Sequence, residues 1–319
     1  MPNNPTYSLV FPVFNEEAVL PLLFHRLDRV LADLDGPAEV ILVDDGSTDC
    51  TSIILAARAR DDSRYRYIGL SRNFGQQAAM TAGLDAARGE AVILMDADLQ
   101  DPPEIIHQMI EKWREGYEIV YARRAQRAGE SKFKLATARL FYQLMSKLSS
   151  VEIPQNTGDF RLVDRKALEV FRSMREQDRF VRGMVAWIGG KQVPLLYDRK
   201  ARAAGETKYP LSKMIRFAVD AITAFSVVPL MASMTIGWVM AAVGFAFFVY
   251  SIVGWAMGHT LPGWTSLMAA IGILGGMQFL MLGVIGAYLG RLYDQSKDRP
   301  LFMIRDIVGG PAPGRSPRS

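Results

Sequence analysis

Seventy consecutive residues, from Ala221 to Gly290, contain no Asp, Glu, Lys or Arg. A water-facing surface does not tolerate an apolar stretch of that size, because so much uncovered apolar area drives association. The interval has room for two helices, each longer than the roughly 20 residues needed to traverse the hydrocarbon core of a bilayer. The pattern places them at 227–257 and 264–289, joined by the tight connection Gly258–Gly263. That connection has no Lys or Arg, whereas both outer flanks are rich in them. The positive-inside rule then puts both ends of the hairpin in the cytoplasm and the loop outside, with Trp255 and Trp264 as interfacial anchors. Two buried core helices would be shorter and would show a polar face.

The remainder is that of a folded, water-soluble part. Half of the 319 residues are hydrophobic and 22% are charged, which excludes a disordered chain. The single cysteine, Cys50, can form no internal disulfide. The first residues lack a basic stretch followed by an apolar core, so no signal peptide is expected and the first half should stay in the cytoplasm. The net charge of +4 is too mild to indicate nucleic acid. Its distribution says more. Arg123, Arg124, Arg127, Lys132, Lys134 and Arg139 form one basic run, and Arg199, Lys200, Arg202, Lys208, Lys213 and Arg216 form another, suited to anionic lipid headgroups.

Up to about residue 125, short apolar runs alternate with amphipathic stretches. Ser8–Phe11, Val40–Val43, Tyr67–Leu70, Ala91–Met95 and Ile119–Tyr121 read as buried strands. Helical spacing fills Glu16–Leu34, Thr51–Arg60, Gln76–Ala87 and Glu104–Glu115 between them. This alternation predicts a mostly parallel α/β sheet covered on both faces, with its ligand at the carboxyl ends of the strands. The polar clusters fall at those ends. Further on, 134–148 and 211–225 have the spacing of amphipathic helices suited to a core or to the membrane interface.

The segment Met95-Asp96-Ala97-Asp98-Leu99-Gln100-Asp101-Pro102-Pro103-Glu104 carries the strongest chemical signal. An Asp-x-Asp pair alone means little, and Asp33-Leu34-Asp35 is another. Asp96 and Asp98, however, leave a buried strand and precede a helix start with Asp101 as N-cap, Pro102 at N1 and Glu104 at N3. Two carboxylates so placed suit a hard divalent cation, Mg²⁺ or Mn²⁺, shared with diphosphate oxygens. Asp44-Asp45-Gly46-Ser47 closes the second strand, where carboxylates can accept the hydrogens of a nucleobase and Gly46 allows close backbone approach. Phe11-Pro12-Val13-Phe14-Asn15-Glu16 supplies an aromatic wall after the first strand.

Together with Ser71-Arg72-Asn73-Phe74-Gly75-Gln76, Gly158-Asp159-Phe160-Arg161-Leu162 and Gly205-Glu206-Thr207-Lys208-Tyr209, these motifs resemble the family 2 glycosyltransferases with a GT-A fold. Within them the chain is similar to the polyprenyl-phosphate glycosyltransferases, and more closely to the bacterial undecaprenyl-phosphate (bactoprenol) glucosyltransferases. The family usually has Ser where Thr207 stands. The resemblance implies a GT-A domain over 1–210 with an interfacial helix at 134–148. A juxtamembrane helix would follow at 211–225, a transmembrane hairpin at 226–290 and a cytoplasmic tail at 291–319. It implies that Pro12, Phe14, Glu16, Asp44, Asp45 and Ala97 hold the nucleotide sugar. Asp96, Asp98 and Gln100 would hold the metal; Arg127, Arg202 and Lys208 the acceptor phosphate; Asp98, Asp159 and Arg124 would serve the reaction itself.

The implied activity is inverting transfer of a sugar, with UDP-glucose first among the donors, to polyprenyl phosphate. GDP-mannose, UDP-aminoarabinose, UDP-GlcNAc and UDP-galacturonate are alternative donors. The resemblance implies a catalytic carboxylate at Asp159, a base or a positioning residue. Because a phosphate acceptor is ionised near neutral pH and needs no general base, positioning or orienting an arginine is expected ahead of proton removal. The expected partners are the nucleotide sugar, polyprenyl phosphate, the bilayer of a bacterial inner membrane and further copies in a homo-oligomer, with no nucleic acid. A processive synthase would need a Gln-x-x-Arg-Trp motif and more spans. A flippase or scaffold would have no use for carboxylates at strand ends. Three scattered His, at 25, 107 and 259, argue against zinc.

Overall fold

The computed structural model describes residues 5–124, 157–174, 176–177, 179–197, 228–257 and 263–310. The expected helices at 134–148 and 211–225, and the loop 258–262, lie outside the described residues. The chain divides into two compact units. One holds the α/β sheet, including the segment from Arg299 onward, and the other holds the two long apolar helices.

In the first unit the elements run β1 (Tyr7–Val13), α1 (Leu20–Asp33), β2 (Ala38–Asp44), α2 (Thr51–Asp61), β3 (Tyr65–Leu70), α3 (Gln76–Ala86), β4 (Ala91–Leu94), α4 (Ile106–Arg114) and β5 (Ile119–Arg124). They continue as β6 (Thr157–Asp164), α5 (Arg165–Ser173), α6 (Val181–Ile188), β7 (Gln192–Tyr197) and, after the second unit, β8 (Ile304–Val308). The sheet order is β7-β5-β6-β4-β1-β2-β3-β8. Strands β4, β1, β2 and β3 are mutually parallel, as expected, and so are β5 and β7. The sheet is nonetheless mixed. β6 enters antiparallel between β4 and β5, and β8 runs antiparallel along the outer edge of β3.

All seven residues of β1 are buried. Tyr7, Leu9, Phe11 and Val13 join one core cluster and Val10 the opposite one, because successive side chains point to opposite faces. Helix α3 lies close to the sheet because Gly83 has no side chain. A Cβ there would stand 2.2 Å from Val10 Cγ1 and 3.1 Å from Val43 Cγ2.

Three local expectations are corrected. Helix α1 begins at Leu20 rather than Glu16, after a turn that leaves Glu16 and Glu17 outside it. The fourth helix does not begin with an Asp101 cap. Pro102 occupies the N-cap position, a 3₁₀ turn Pro103–Ile105 comes first, and the Asp101 carboxylate accepts a hydrogen bond from the Tyr197 hydroxyl. The segment 291–319 is not simply a tail, since the last long helix, Trp264–Ser296, continues through its start and β8 completes the sheet.

The second unit contains α7 (Val228–Ala256, 29 residues) and α8 (Trp264–Ser296, 33 residues). At a rise of 1.5 Å per residue, both exceed the roughly 30 Å of hydrocarbon in a bilayer. Leu230–Gly254 and Ile273–Ser296 have mean hydropathies of 2.1 and 1.7, long and apolar enough to cross a membrane. Large apolar side chains such as Trp238, Phe247 and Phe279 stand outward, 73%, 69% and 76% exposed. α8 runs seven residues past the expected end at 289, carrying Arg291 and Asp294 as its apolar stretch gives way to a polar turn.

The close seat of α3 makes a direct prediction. Gly83→Ala gains about 1 kcal/mol of helix propensity, but the methyl must displace a β-branched side chain in a packed core, costing about 1–3 kcal/mol. Denaturant unfolding in detergent should show a net loss of stability, and an equally stable variant would mean that α3 does not sit this close.

Candidate active site

The loops that follow β1, β2, β3 and β4 meet at the carboxyl edge of the sheet and are tied to one another chiefly by side-chain oxygens that accept from backbone N–H groups. After β1, Asn15 takes a left-handed conformation (φ 52°), and its side-chain oxygen accepts from the Thr48 N–H at 2.8 Å. In return the Asn15 and Glu16 N–H groups donate to Ser47 Oγ and Thr51 Oγ1, at 3.0 and 2.9 Å. Gly46 (φ +71°) lets the β2 loop touch the β3 loop. A Cβ there would lie 2.4 Å from the Arg72 carbonyl carbon and 2.7 Å from the Asn73 nitrogen.

Asp45 reaches from the β2 loop to the β3 loop, its two oxygens accepting from the N–H groups of Phe74 and Gly75 at 2.7 and 2.9 Å. Burial nevertheless pushes its carboxyl above the ordinary value, against the pull of those two donors. From the start of α3, the Gln76 amide donates to Asp96 Oδ1 at 2.8 Å. The chain past β4 is held by a left-handed Leu99 (φ 55°) and by the Gln100 N–H, which donates to Asp98 Oδ1 at 3.1 Å.

These loops enclose a cleft of about 460 Å³. Pro12, Phe14, Glu16, Asp45, Asp96, Ala97 and Asp98, all expected at a site, line it together. Asp44 does not. It is wholly buried behind the loop, where its carboxylate accepts from the Ser47 N–H at 2.9 Å and from the Tyr67 hydroxyl at 3.3 Å. Gln100 is also absent from the wall and contributes through its backbone. Arg124 ends β5, whereas Arg127, Arg202 and Lys208 lie outside the described residues.

Asp159 is placed by the strand order. β4 and β6 pair with Leu94 opposite Arg161, and continuing that register by two residues brings Asp159 opposite Asp96. The electrostatics follow. Burial first, then the Asp159 charge, then that of Asp98, push the Asp96 carboxyl up to about 7. The Asp159 carboxylate itself is gripped by Arg182 from α6, Nε to Oδ1 and Nη2 to Oδ2, both at 3.0 Å.

The expected divalent cation fits this donor set. Asp96 and Asp98 are hard oxygen donors in a place with surplus negative charge, the environment that Mg²⁺ or Mn²⁺ requires. Among the described residues no group of three or more His, Cys, Asp or Glu could hold an ion unaided. Ligand oxygens from a diphosphate would have to complete the shell. Sequence reasoning assigned no role to Asn73, Gly75 and Gln76, which also line the cleft, or to Arg182. The first three belong to the Ser71–Gln76 motif, but nothing in their residue types announces that Gln76 would reach a carboxylate twenty positions away.

Residues 8–171, just over half of the chain and spanning β1 to β6 with most of α5, match the family described as "Glycosyl transferase family 2". The chain belongs to that family. Its relatives match along almost the full length. It is 46% identical over 304 residues to the "Uncharacterized glycosyltransferase YkcC" of Bacillus subtilis, covering 95% of this chain and 94% of that one. It is 40% identical over 302 residues to the "Prophage bactoprenol glucosyl transferase homolog" of Escherichia coli, covering 94% and 98%. It is 39% identical over 301 residues to the "Bactoprenol glucosyl transferase" of Shigella phage SfV, again covering 94% and 98%. This chain is therefore a family 2 glycosyltransferase, related to bactoprenol glucosyl transferases. It has the expected GT-A-like, mostly parallel mixed sheet and two long apolar helices.

The raised Asp96 carboxyl makes stability depend on pH with a definite sign. An acid raised in the folded state stabilises it fully below the ordinary value of 3.8, and that contribution is lost as pH rises toward about 7. Asp96→Asn keeps the Oδ1 that Gln76 bonds and removes the charge. With a chelator present, the variant should be more stable than the wild type at pH 8, by up to about 4 kcal/mol, since each tenfold change in proton affinity is worth about 1.4 kcal/mol. The gap should narrow toward pH 5. A variant less stable than wild type at both pH values would show that no like-charge penalty is held there.

Proposed function

We propose that this family 2 glycosyltransferase transfers a sugar, with UDP-glucose as first choice, to polyprenyl phosphate with inversion, making a lipid-linked donor for cell-envelope glycans. The observation that carries this reading is the single cleft in which Phe14 and Asp45, suited to a nucleoside, stand beside Asp96 and Asp98, suited to a cation with diphosphate. The full-length likeness to bactoprenol glucosyl transferases and the two bilayer-length helices support a lipid acceptor.

In this reading Pro12 and Phe14 pack against the base, and Asp45 accepts from it or fixes the loop that does. Asp96 and Asp98 would hold Mg²⁺ or Mn²⁺, which when bound supplies charge neutralisation for a departing diphosphate. Gln76 keeps the Asp96 carboxylate turned toward the cleft. The acceptor's phosphate oxygen attacks the anomeric carbon as the nucleoside diphosphate leaves from the opposite face. An ionised phosphate needs no proton removed, which leaves Asp159 a positioning role. Arg124, Arg127, Arg202 and Lys208 are assigned to phosphate, since guanidinium groups pair with phosphate oxygens two at a time and keep their charge beside a membrane, and an ammonium group adds a point charge.

Chain connectivity supports the proposed topology. β8 pairs with β3 although two apolar helices lie between them in the chain, as an even number of crossings allows, and by the positive-inside rule the basic flanks favour the cytoplasm of a bacterial inner membrane for both ends. The expected homo-oligomer has no support in the described residues.

Purified full-length protein given polyprenyl phosphate and each donor in turn should yield a hexosyl lipid with UDP-glucose, read by mass spectrometry. Asp98→Asn should lose at least about a hundredfold in turnover, comparable to losing a major electrostatic stabiliser. Hydrolysis of the sugar nucleotide without lipid product, or nucleotide binding without turnover, would overturn the reading. A cysteine at Thr260 should react with an impermeant reagent added outside intact cells while a reporter fused after Ser319 reads as cytoplasmic. The reverse pattern refutes the topology.

A further inference from the structure

Asp159 is held more tightly than a residue meant to move a proton. Its side chain is 7% exposed, and both oxygens accept from one edge of the Arg182 guanidinium at 3.0 Å. Arg182 is the second residue of α6, whose first N–H, that of Val181, donates to Gln77 Oε1 at 2.8 Å. Gln77 is the neighbour of Gln76, which holds Asp96. Two adjacent glutamines at the start of α3 therefore reach both sides of the acidic cluster, one to a carboxylate and the other to the helix that carries the clamp on the second carboxylate.

Behind them Arg161, 3% exposed, donates from Nε to the Asp159 carbonyl at 3.2 Å and from Nη2 to the Gly158 carbonyl at 3.0 Å. Its Nη1 reaches the Arg182 carbonyl at 3.5 Å, so the backbones of both partners are fixed to one buried guanidinium.

We propose that Arg182, set in place by Gln77 at the N-terminus of α6, is a positioning residue of the transfer reaction that acts through Asp159. The inference rests on the proposed function. Without the Arg182 contacts at 3.0 Å the Asp159 carboxylate would be free to take other rotamers. A two-pronged guanidinium contact restrains it in distance and in plane, and a lysine in its place would supply the charge without the geometry. The role is distinct from gripping substrate. Arg182 fixes where the Asp159 charge stands during transfer.

The test is a double-substitution cycle on the full-length protein, with steady-state kinetics for both substrates and calorimetric binding of UDP with Mn²⁺. Arg182→Lys should lower kcat by about ten- to a hundredfold, as small misplacements near reacting atoms do, while the donor KM and UDP affinity stay within about twofold. Arg182→Gln should lower kcat at least as far in the wild-type background, yet cost less than about twofold more in an Asp159→Asn background, because residues acting as one unit are not additive. Gln77→Leu should lower kcat in the same direction and likewise lose its effect with Asp159→Asn. Wild-type kcat in Arg182→Lys, or full multiplicative losses in the Asp159→Asn background, would overturn the inference. If Arg182→Gln loses UDP binding through misfolding, Arg182→Lys and Gln77→Leu run the same cycle. A wild-type protein that transfers no sugar from any donor defeats the proposed function and this inference with it. An active wild type with additive losses defeats the inference alone.

Discussion

Three carboxylates, Asp96, Asp98 and Asp159, are gathered where β4 ends and β6 begins, and much of the surrounding structure serves to hold that much like charge in a poorly hydrated place. Burial and mutual repulsion raise the Asp96 carboxyl to about 7, which is a destabilising arrangement in the absence of a cation. The fold offsets it locally with a neutral amide from Gln76 on Asp96 and a guanidinium from Arg182 on Asp159. Asp101, close enough to raise the Asp96 carboxyl further, is tied to the Tyr197 hydroxyl at the end of β7. Strain kept at one point and restrained from several elements is the pattern expected of a site built to bind an ion and react.

What could be read in the sequence follows from which interactions are local. The strands β1 to β5 are short apolar runs bounded by turn residues, and that pattern survives in any tertiary context that buries them. The Asp-x-Asp after β4 and the Asp45 loop after β2 were visible because a parallel strand delivers its next residues to one edge of the sheet. Asp44 looked equivalent to Asp45. One residue along a strand end reverses the direction of the side chain, and Asp44 went inward to Tyr67 while Asp45 turned to the cleft. Asp101 had the spacing of a helix cap, but a buried tyrosine ninety-six positions later competes for the same carboxylate. Such pairings leave no trace in local spacing.

The antiparallel insertion of β6 could not be read in the same way. A strand arriving after a long connection has no local mark of its neighbours or of its direction, and Thr157–Asp164 is as apolar on alternate positions as an outer strand would be. Its position is nonetheless what creates the site. With β6 beside β4, the Leu94 to Arg161 register carries Asp159 to Asp96, and α6 then returns Arg182 to the same corner. The family match ends at residue 171, before α6.

The last element of the sheet is the last to be made. β3 has an unpaired edge until Ile304–Val308 lies along it, and an open apolar edge is an invitation to wrong pairing. The residues that close it follow both apolar helices, so the edge stays open until those helices have been synthesised. The same segment fixes more than an edge. The Met303 carbonyl accepts a hydrogen bond from the Ser71 N–H at 2.8 Å, at the root of the loop that Asp45 holds through Phe74 and Gly75. Gly309 permits the tight exit, since its φ is +77° and a Cβ would stand 2.6 Å from the Tyr65 carbonyl oxygen. The root of the loop that carries Asn73 to the cleft is therefore bonded to chain that comes after the helices. A sheet whose site-lining loop waits for residues beyond the apolar hairpin acquires its final form only after the hairpin has been made.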